Sequence, residues 1–114
     1  MPHFVLECSS NILKLQPSQD IMKIIHDAVK ASGFFDTDEI NVRIRRFEDY
    51  TMNNITKDFI YVFAYIIEGK TTDQKKKLST KIVQTLDAIF PDVPRISMNI
   101  MDYENATYFN KSQL

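Results

Sequence analysis

Twice along this chain the spacing of apolar residues switches from two to about 3.6 and back, and that alternation restricts the fold more than any other feature. From Pro2 to Cys8 the residues alternate, with Phe4, Leu6 and Cys8 on one face and His3, Val5 and Glu7 on the other. "SSNILKLQPS" breaks the pattern. Ile21, Ile24, Ile25, Ala28 and Val29 then recur at helical spacing. Ser18 is the expected N-cap and Gly33 the expected stop. "INVRIRRF" returns to strand, Ile40, Val42 and Ile44 alternating with Asn41, Arg43 and Arg45.

The same grammar follows again. "DFIYVFAYIIEG" is a long apolar strand, and "TTDQ" at 71–74 fits a capping box in which Gln74 reaches back to Thr71. Leu78, Ile82, Val83, Leu86, Ile89 and Phe90 form the inner stripe of a helix that Pro91 ends. "RISMNIMDY" is the last strand, and the polar linker "DYTMNNITK" joins the halves. The sequence therefore reads as one domain, 1–114, built of a pseudo-repeat, 2–49 and 58–103.

Helices are the normal crossovers between parallel strands, and such connections are right-handed. Two tandem β-α-β units laid side by side give an α+β fold, a four-stranded sheet with two helices on one face. The third strand is too continuously apolar for either of its faces to lie in water. No segment remains to cover the second face, so another copy of the chain is the expected cover, with a closed ring the usual outcome. Phe59, Tyr61, Phe63 and Tyr65 would serve that packing or the core.

Composition removes several classes of function. With 14 basic and 15 acidic side chains the net charge is -1, so no bulk field favours nucleic acid or an anionic membrane. Two glycines leave no material for a phosphate-binding loop, and no apolar run is long enough for a membrane span. The N-terminus lacks a secretory pattern, so the expected location is cytoplasmic and the three sequons go unused. His3 and His26 show no metal-ligand spacing. Cys8, the single cysteine, reads as a small buried hydrophobe, and "KKK" at 75–77 as a solvated face.

"PHFVLECSSNI", "NVRIRRFEDY" and "IIEGKTTDQKKKL" together resemble the tautomerase superfamily, and within it the 5-carboxymethyl-2-hydroxymuconate isomerases. The resemblance runs along nearly the whole chain, the opening segment being its most specific part. It implies a homotrimer and a cofactor-free isomerase acting on unsaturated 2-oxo or 2-hydroxy carboxylic acids. It also implies that Pro2 becomes the catalytic base once Met1 is removed. Arg43 stands at the position of a substrate-binding arginine. Lys70 stands where a second arginine is usual, and Asn41 where the bacterial aromatic-degradation isomerases tend to carry arginine. Lysine keeps the charge but lacks the planar fork that grips a carboxylate at two points.

The chemistry is consistent with these residues. An α-amino group titrates near ~7.7–8.0, and burial or nearby cations lower it further, towards the range a general base needs. A fixed cation beside the carbonyl oxygen would stabilise a dienolate. Arg43 and Lys70 are the candidates for that role, and Arg45, on the same strand face as Arg43, is a third. Two other readings stay open on sequence alone. One is a tautomerase with a different reaction, such as phenylpyruvate-type keto-enol conversion or hydration of a small unsaturated acid. The other is a non-catalytic oligomeric binding protein on the same fold.

Overall fold

Strand β1 spans His3–Ser9 and lies in the middle of the sheet, where its alternation is read directly as burial. Phe4, Leu6 and Cys8 are fully buried, whereas His3, Val5 and Glu7 are only partly covered. The computed structural model describes residues 1–114. In chain order the elements after β1 are α1 (Ile12–Leu15), α2 (Ser18–Ser32), β2 (Asn41–Phe47), β3 (Phe59–Ile67), α3 (Thr72–Ile89) and β4 (Arg95–Tyr103).

The sheet order is β2-β1-β3-β4. β1 runs parallel to β2, β3 parallel to β4, and the two central strands are antiparallel, with His3 opposite Tyr65 and Cys8 opposite Ile60. This is the expected α+β sheet, and both long helices cover one of its faces. Ile21, Ile25 and Val29 from α2 and Leu78, Ile82 and Leu86 from α3 form a single core with Phe4, Leu6, Ile60 and Val62. Fully burying a side chain of this kind stabilises by roughly 1.5–3 kcal/mol, so this face holds the fold together.

Local chemistry sets the helix ends. Gly33 ends α2 with φ 73°, a left-handed conformation that glycine adopts without steric cost. Thr71 and Gln74 form the reciprocal capping box of α3: the Gln74 amide donates to Thr71 Oγ1 at 3.1 Å, and the Thr71 amide donates to Gln74 Oε1 at 2.9 Å. The helix stops at Ile89, two residues before Pro91.

Four sequence readings are corrected. Ser18 is the first helical residue of α2, not its cap; Pro17 precedes it and supplies no side-chain acceptor. "SSNILKLQPS" contains a turn of helix, α1, which points Ile12 into the core. The linker "DYTMNNITK" carries a tight hairpin in which Met52 and Ile55 exchange two backbone hydrogen bonds of 3.0 Å. Asn53 and Asn54 form its corner with φ 52° and 61°, the pair of positive angles of a type I′ turn. Finally, Lys75 is not simply solvated: its ammonium donates to Asp102 at 3.0 Å and ties the start of α3 to the end of β4. Lys76 and Lys77 do face solvent.

The second sheet face carries no helix. Phe59, Tyr61, Phe63, Tyr65 and Ile67 of β3 lie there half-buried, and Tyr61 stacks on Phe63 with ring centres 4.3 Å apart. The opposite side chains of the same strand, Ile60, Val62, Ala64 and Ile66, are completely enclosed. No helix is long and apolar enough to cross a membrane.

Candidate active site

Pro2 sits at the head of β1, and its ring is among the fully buried side chains. Three hydrogen bonds from Asn41 fix this corner. The Asn41 amide donates to the Pro2 carbonyl at 3.1 Å, and Asn41 Nδ2 donates to the same oxygen at 3.2 Å and to the Glu39 carbonyl at 2.9 Å. The terminal ammonium of Met1 also donates to the Glu39 carbonyl, at 3.2 Å. With Met1 in place the Pro2 nitrogen is an amide and has no basic lone pair.

Met1 opens into a pocket of about 380 Å³ whose apolar wall includes Phe34, Phe35 and Ile67. Lys70 lines the same pocket, its ammonium 5.3 Å from the centre of the Phe35 ring, and Phe35 in turn packs edge-on against Phe4 of β1. A cation over an aromatic face at this range is held by the ring quadrupole. Asp36, Glu39 and Glu68 line it as well. A roomier hollow, about 540 Å³, lies at the other end of the sheet against Asp58 and Pro94, remote from Pro2.

Arg43 is placed differently. It extends from β2 onto the helix-free face, where its guanidinium donates to His3 Nδ1 at 3.1 Å. An arginine can only donate, so this contact requires His3 to be neutral at Nδ1. Burial, then the Arg43 charge, then the terminal ammonium hold the His3 pKa below the ordinary value of 6.5. The structure therefore brings Lys70 to the Met1–Pro2 corner on the Phe35 side and Arg43 to the neighbouring His3 on the open side. Arg45 is not brought in. It lies two residues further along β2, with its guanidinium 4.0 Å from the Glu7 carboxylate.

The sequence reading passed over three residues here. His3 was judged only for metal ligation, although it is next to Pro2 and on the Arg43 side of the sheet. Asn41 was judged only for the charge it lacks, whereas it grips the Pro2 carbonyl. Phe35, between α2 and β2, carries no sequence signal that sets it under Lys70. The parallel register that sets His3 opposite Asn41 and Val5 opposite Arg43 is the signal that joins them, and it exists only once β1 and β2 are paired.

Two groups outside the corner behave as structural parts. The Cys8 thiol is pushed up to about 11, mainly by burial, and stays a protonated hydrophobe. His26 makes only a 3.7 Å approach to Asp27 at a half-exposed position. No group of three or more His, Cys, Asp or Glu residues comes together in a way that could hold a metal ion.

Comparison with known proteins decides the family. The family model of 5-carboxymethyl-2-hydroxymuconate isomerase matches residues 2–113. The chain belongs to that family. Among solved structures it is similar to a 5-carboxymethyl-2-hydroxymuconate isomerase from Deinococcus radiodurans R1, with TM-score 0.83 and 18% identity over 96% of this chain and 88% of that one. It is also similar to a 5-carboxymethyl-2-hydroxymuconate delta-isomerase, with TM-score 0.74 and 17% identity over 97% and 87%. A fused 4-OT described as a wild-type asymmetric trimer matches with TM-score 0.78 and 14% identity, covering 96% and 92%. These likenesses confirm the tautomerase fold. A search of curated proteins finds no match.

Proposed function

We propose that this member of the family is a cofactor-free isomerase that moves a proton within an unsaturated 2-oxo or 2-hydroxy carboxylic acid, with Pro2 as its base. The observation that carries the reading is the buried Pro2 directly behind Met1, which lines a pocket that also holds Lys70. Removal of Met1 would turn the Pro2 nitrogen into a secondary amine next to the space Met1 now fills. In a 2-oxo acid that amine takes a proton from the carbon next to the carbonyl, and the C–H electrons pass through the π-system onto the carbonyl oxygen; in a 2-hydroxy acid it takes the hydroxyl proton and reaches the same dienolate. The resulting dienolate then takes the same proton back at a different carbon. Lys70 and Arg43 stabilise the oxygen charge or hold the carboxylate, terms that are largest in a water-poor site. We assign Arg45 no part, because Glu7 faces it.

The reading includes a homotrimer. Its support is the helix-free sheet face with half-buried Tyr61, Phe63 and Tyr65, together with the trimeric assembly of a fold neighbour. A ring would also bring the Arg43 of one copy towards the next.

The test is Pro2→Ala, with the mass of both proteins measured to establish that Met1 is gone. Turnover of an unsaturated 2-oxo acid should fall by about 10²–10⁴, the usual contribution of a positioned base, while the oligomer persists. Equal turnover by both proteins would end the assignment. Saturable binding without turnover by the trimmed parent would instead favour a binding protein on this fold.

A further inference from the structure

Asn41 makes contacts at the Pro2 corner that strand pairing alone does not require. Its backbone amide already joins β2 to Pro2, donating to the Pro2 carbonyl at 3.1 Å. The side chain then doubles that contact: Nδ2 donates to the same carbonyl at 3.2 Å and to the Glu39 carbonyl at 2.9 Å. Both amide hydrogens are spent on backbone oxygens. The two acceptors also fix which way the carboxamide points, because its own oxygen would be repelled there. An arginine at this position would carry its charge away on a long stem, whereas asparagine turns its donors back onto the start of the chain.

The Glu39 carbonyl is also the acceptor of the terminal ammonium, which reaches it from Met1 at 3.2 Å. When Met1 is removed, the terminal ammonium is that of Pro2, the residue whose carbonyl Asn41 holds. Two effects then act on it in the same direction. The Nδ2 hydrogens carry partial positive charge and lie against the carbonyl next to the amine, which disfavours the protonated form. Nδ2 also takes up part of the accepting capacity of the Glu39 oxygen, a group that would otherwise stabilise that form. We propose that Asn41 is a positioning residue for the Pro2 base: its carboxamide holds the Pro2 and Glu39 carbonyls in one clamp, fixes the direction of the Pro2 nitrogen and keeps the amine ready to accept a proton. This rests on the isomerase reading above and deepens it, from which residue is the base to what holds and tunes that base.

The charged and titratable groups around the corner are His3 and Arg43 on the open face, Asp36 and Glu39 ahead of β2, and Glu68 and Lys70 after β3. All of them stay when only residue 41 is changed, and so does anything a neighbouring copy contributes. The experiment compares Asn41→Ala and Asn41→Asp with the parent, each with Met1 removed and its mass verified. Both variants keep the backbone amide that pairs β2 with Pro2. Nitrogen-15 NMR of proline-labelled protein follows the Pro2 amine directly. The pH profile of kcat/KM, for the enol of phenylpyruvate and for 2-hydroxymuconate, follows it through turnover.

In Asn41→Ala the amine midpoint and the rising limb of the profile should move up together by about half to one pH unit. Below the midpoint that is a roughly three- to ten-fold loss of free amine, carried by kcat rather than KM. Asn41→Asp keeps the shape but offers only acceptors and a negative charge, so its shift should be larger. An Asn41→Ala amine that titrates with the parent's overturns the proposal, since a merely structural clamp would lower stability without moving the amine. An aspartate variant that shifts no further than the alanine one overturns it equally, because the donors would then have no part in the effect. Turnover by none of the three proteins, with the amine shifts present, would overturn the isomerase reading while supporting the clamp.

Discussion

Arg43 and His3 make one unit of charge on the open sheet face, and each is a probe of the other. The contact needs a neutral imidazole, and three causes already disfavour its protonation: burial, the guanidinium and the terminal ammonium. Replacing Arg43 by Ala removes the second of these, so an NMR titration should show the His3 midpoint moving upward, towards 6.5. The sign for stability follows from the same shift. His3 binds its proton less readily in the folded chain than in the unfolded one. Its contribution is therefore complete above 6.5 and is lost as the pH falls through the lower folded value. Unfolding in urea at pH 7.5 and 5 should show that fall, with a smaller one in His3→Gln. The same Arg43→Ala protein should also show a raised KM for carboxylate substrates. An unchanged KM and rate would remove Arg43 from the site.

At the scale of elements, caps and turns make separable contributions because each is set by one or two residues. Thr71→Ala deletes the acceptor for the Gln74 amide but keeps the backbone amide that donates to Gln74 Oε1, and should cost about 1 kcal/mol by chemical denaturation. The hairpin corner works in the other direction. Asn54 holds φ 61°, which glycine adopts with less strain, and Asn-Gly is the favoured type I′ pair. Asn54→Gly should therefore leave stability unchanged or raise it by a few tenths of a kcal/mol, whereas Asn54→Val should lower it by more than 1 kcal/mol. In the core, Ile82→Ala empties a fully buried position on α3, and a loss of about 2–5 kcal/mol is expected.

The whole molecule is asymmetric across its sheet. One face is sealed by two helices, and the other presents aromatic side chains that are neither buried nor fully in water. If copies of the chain close over that face, Phe63→Glu should dissociate the assembly while circular dichroism shows the α+β fold intact. Phe63 is the sensitive choice because it stacks on Tyr61 yet lies opposite Asn99 and Val5, away from the Lys70 pocket. Sedimentation that stays at the trimer mass would refute the assignment of this face.

Much of this architecture was written in local patterns. The alternation in "PHFVLEC", the stripe from Ile21 to Val29 and the box at Thr71–Gln74 each depend on residues a few positions apart, whose periodicity or hydrogen bonding needs no distant partner. The same locality explains what was misread. Ser18 has the chemistry of a cap, but Pro17 pre-sets the backbone and starts the helix at Ser18. "NILKL" is too short for a periodic signal, and its helical turn is held by burial of Ile12 against β1 and its surroundings. The candidate site divides in the same way. Pro2, Arg43 and Lys70 could be nominated from the chain because their chemistry is intrinsic to the residue and its neighbours in sequence. What decided their company was tertiary structure. Strand register set His3 beside the Arg43 strand, packing of the α2 exit brought Phe35 beneath Lys70, and chain reversal gathered Asp36, Glu39 and Glu68 with Lys70 around Met1. Charge balance in a pocket is a sum over residues distant along the chain, so it does not exist until the fold has brought them together.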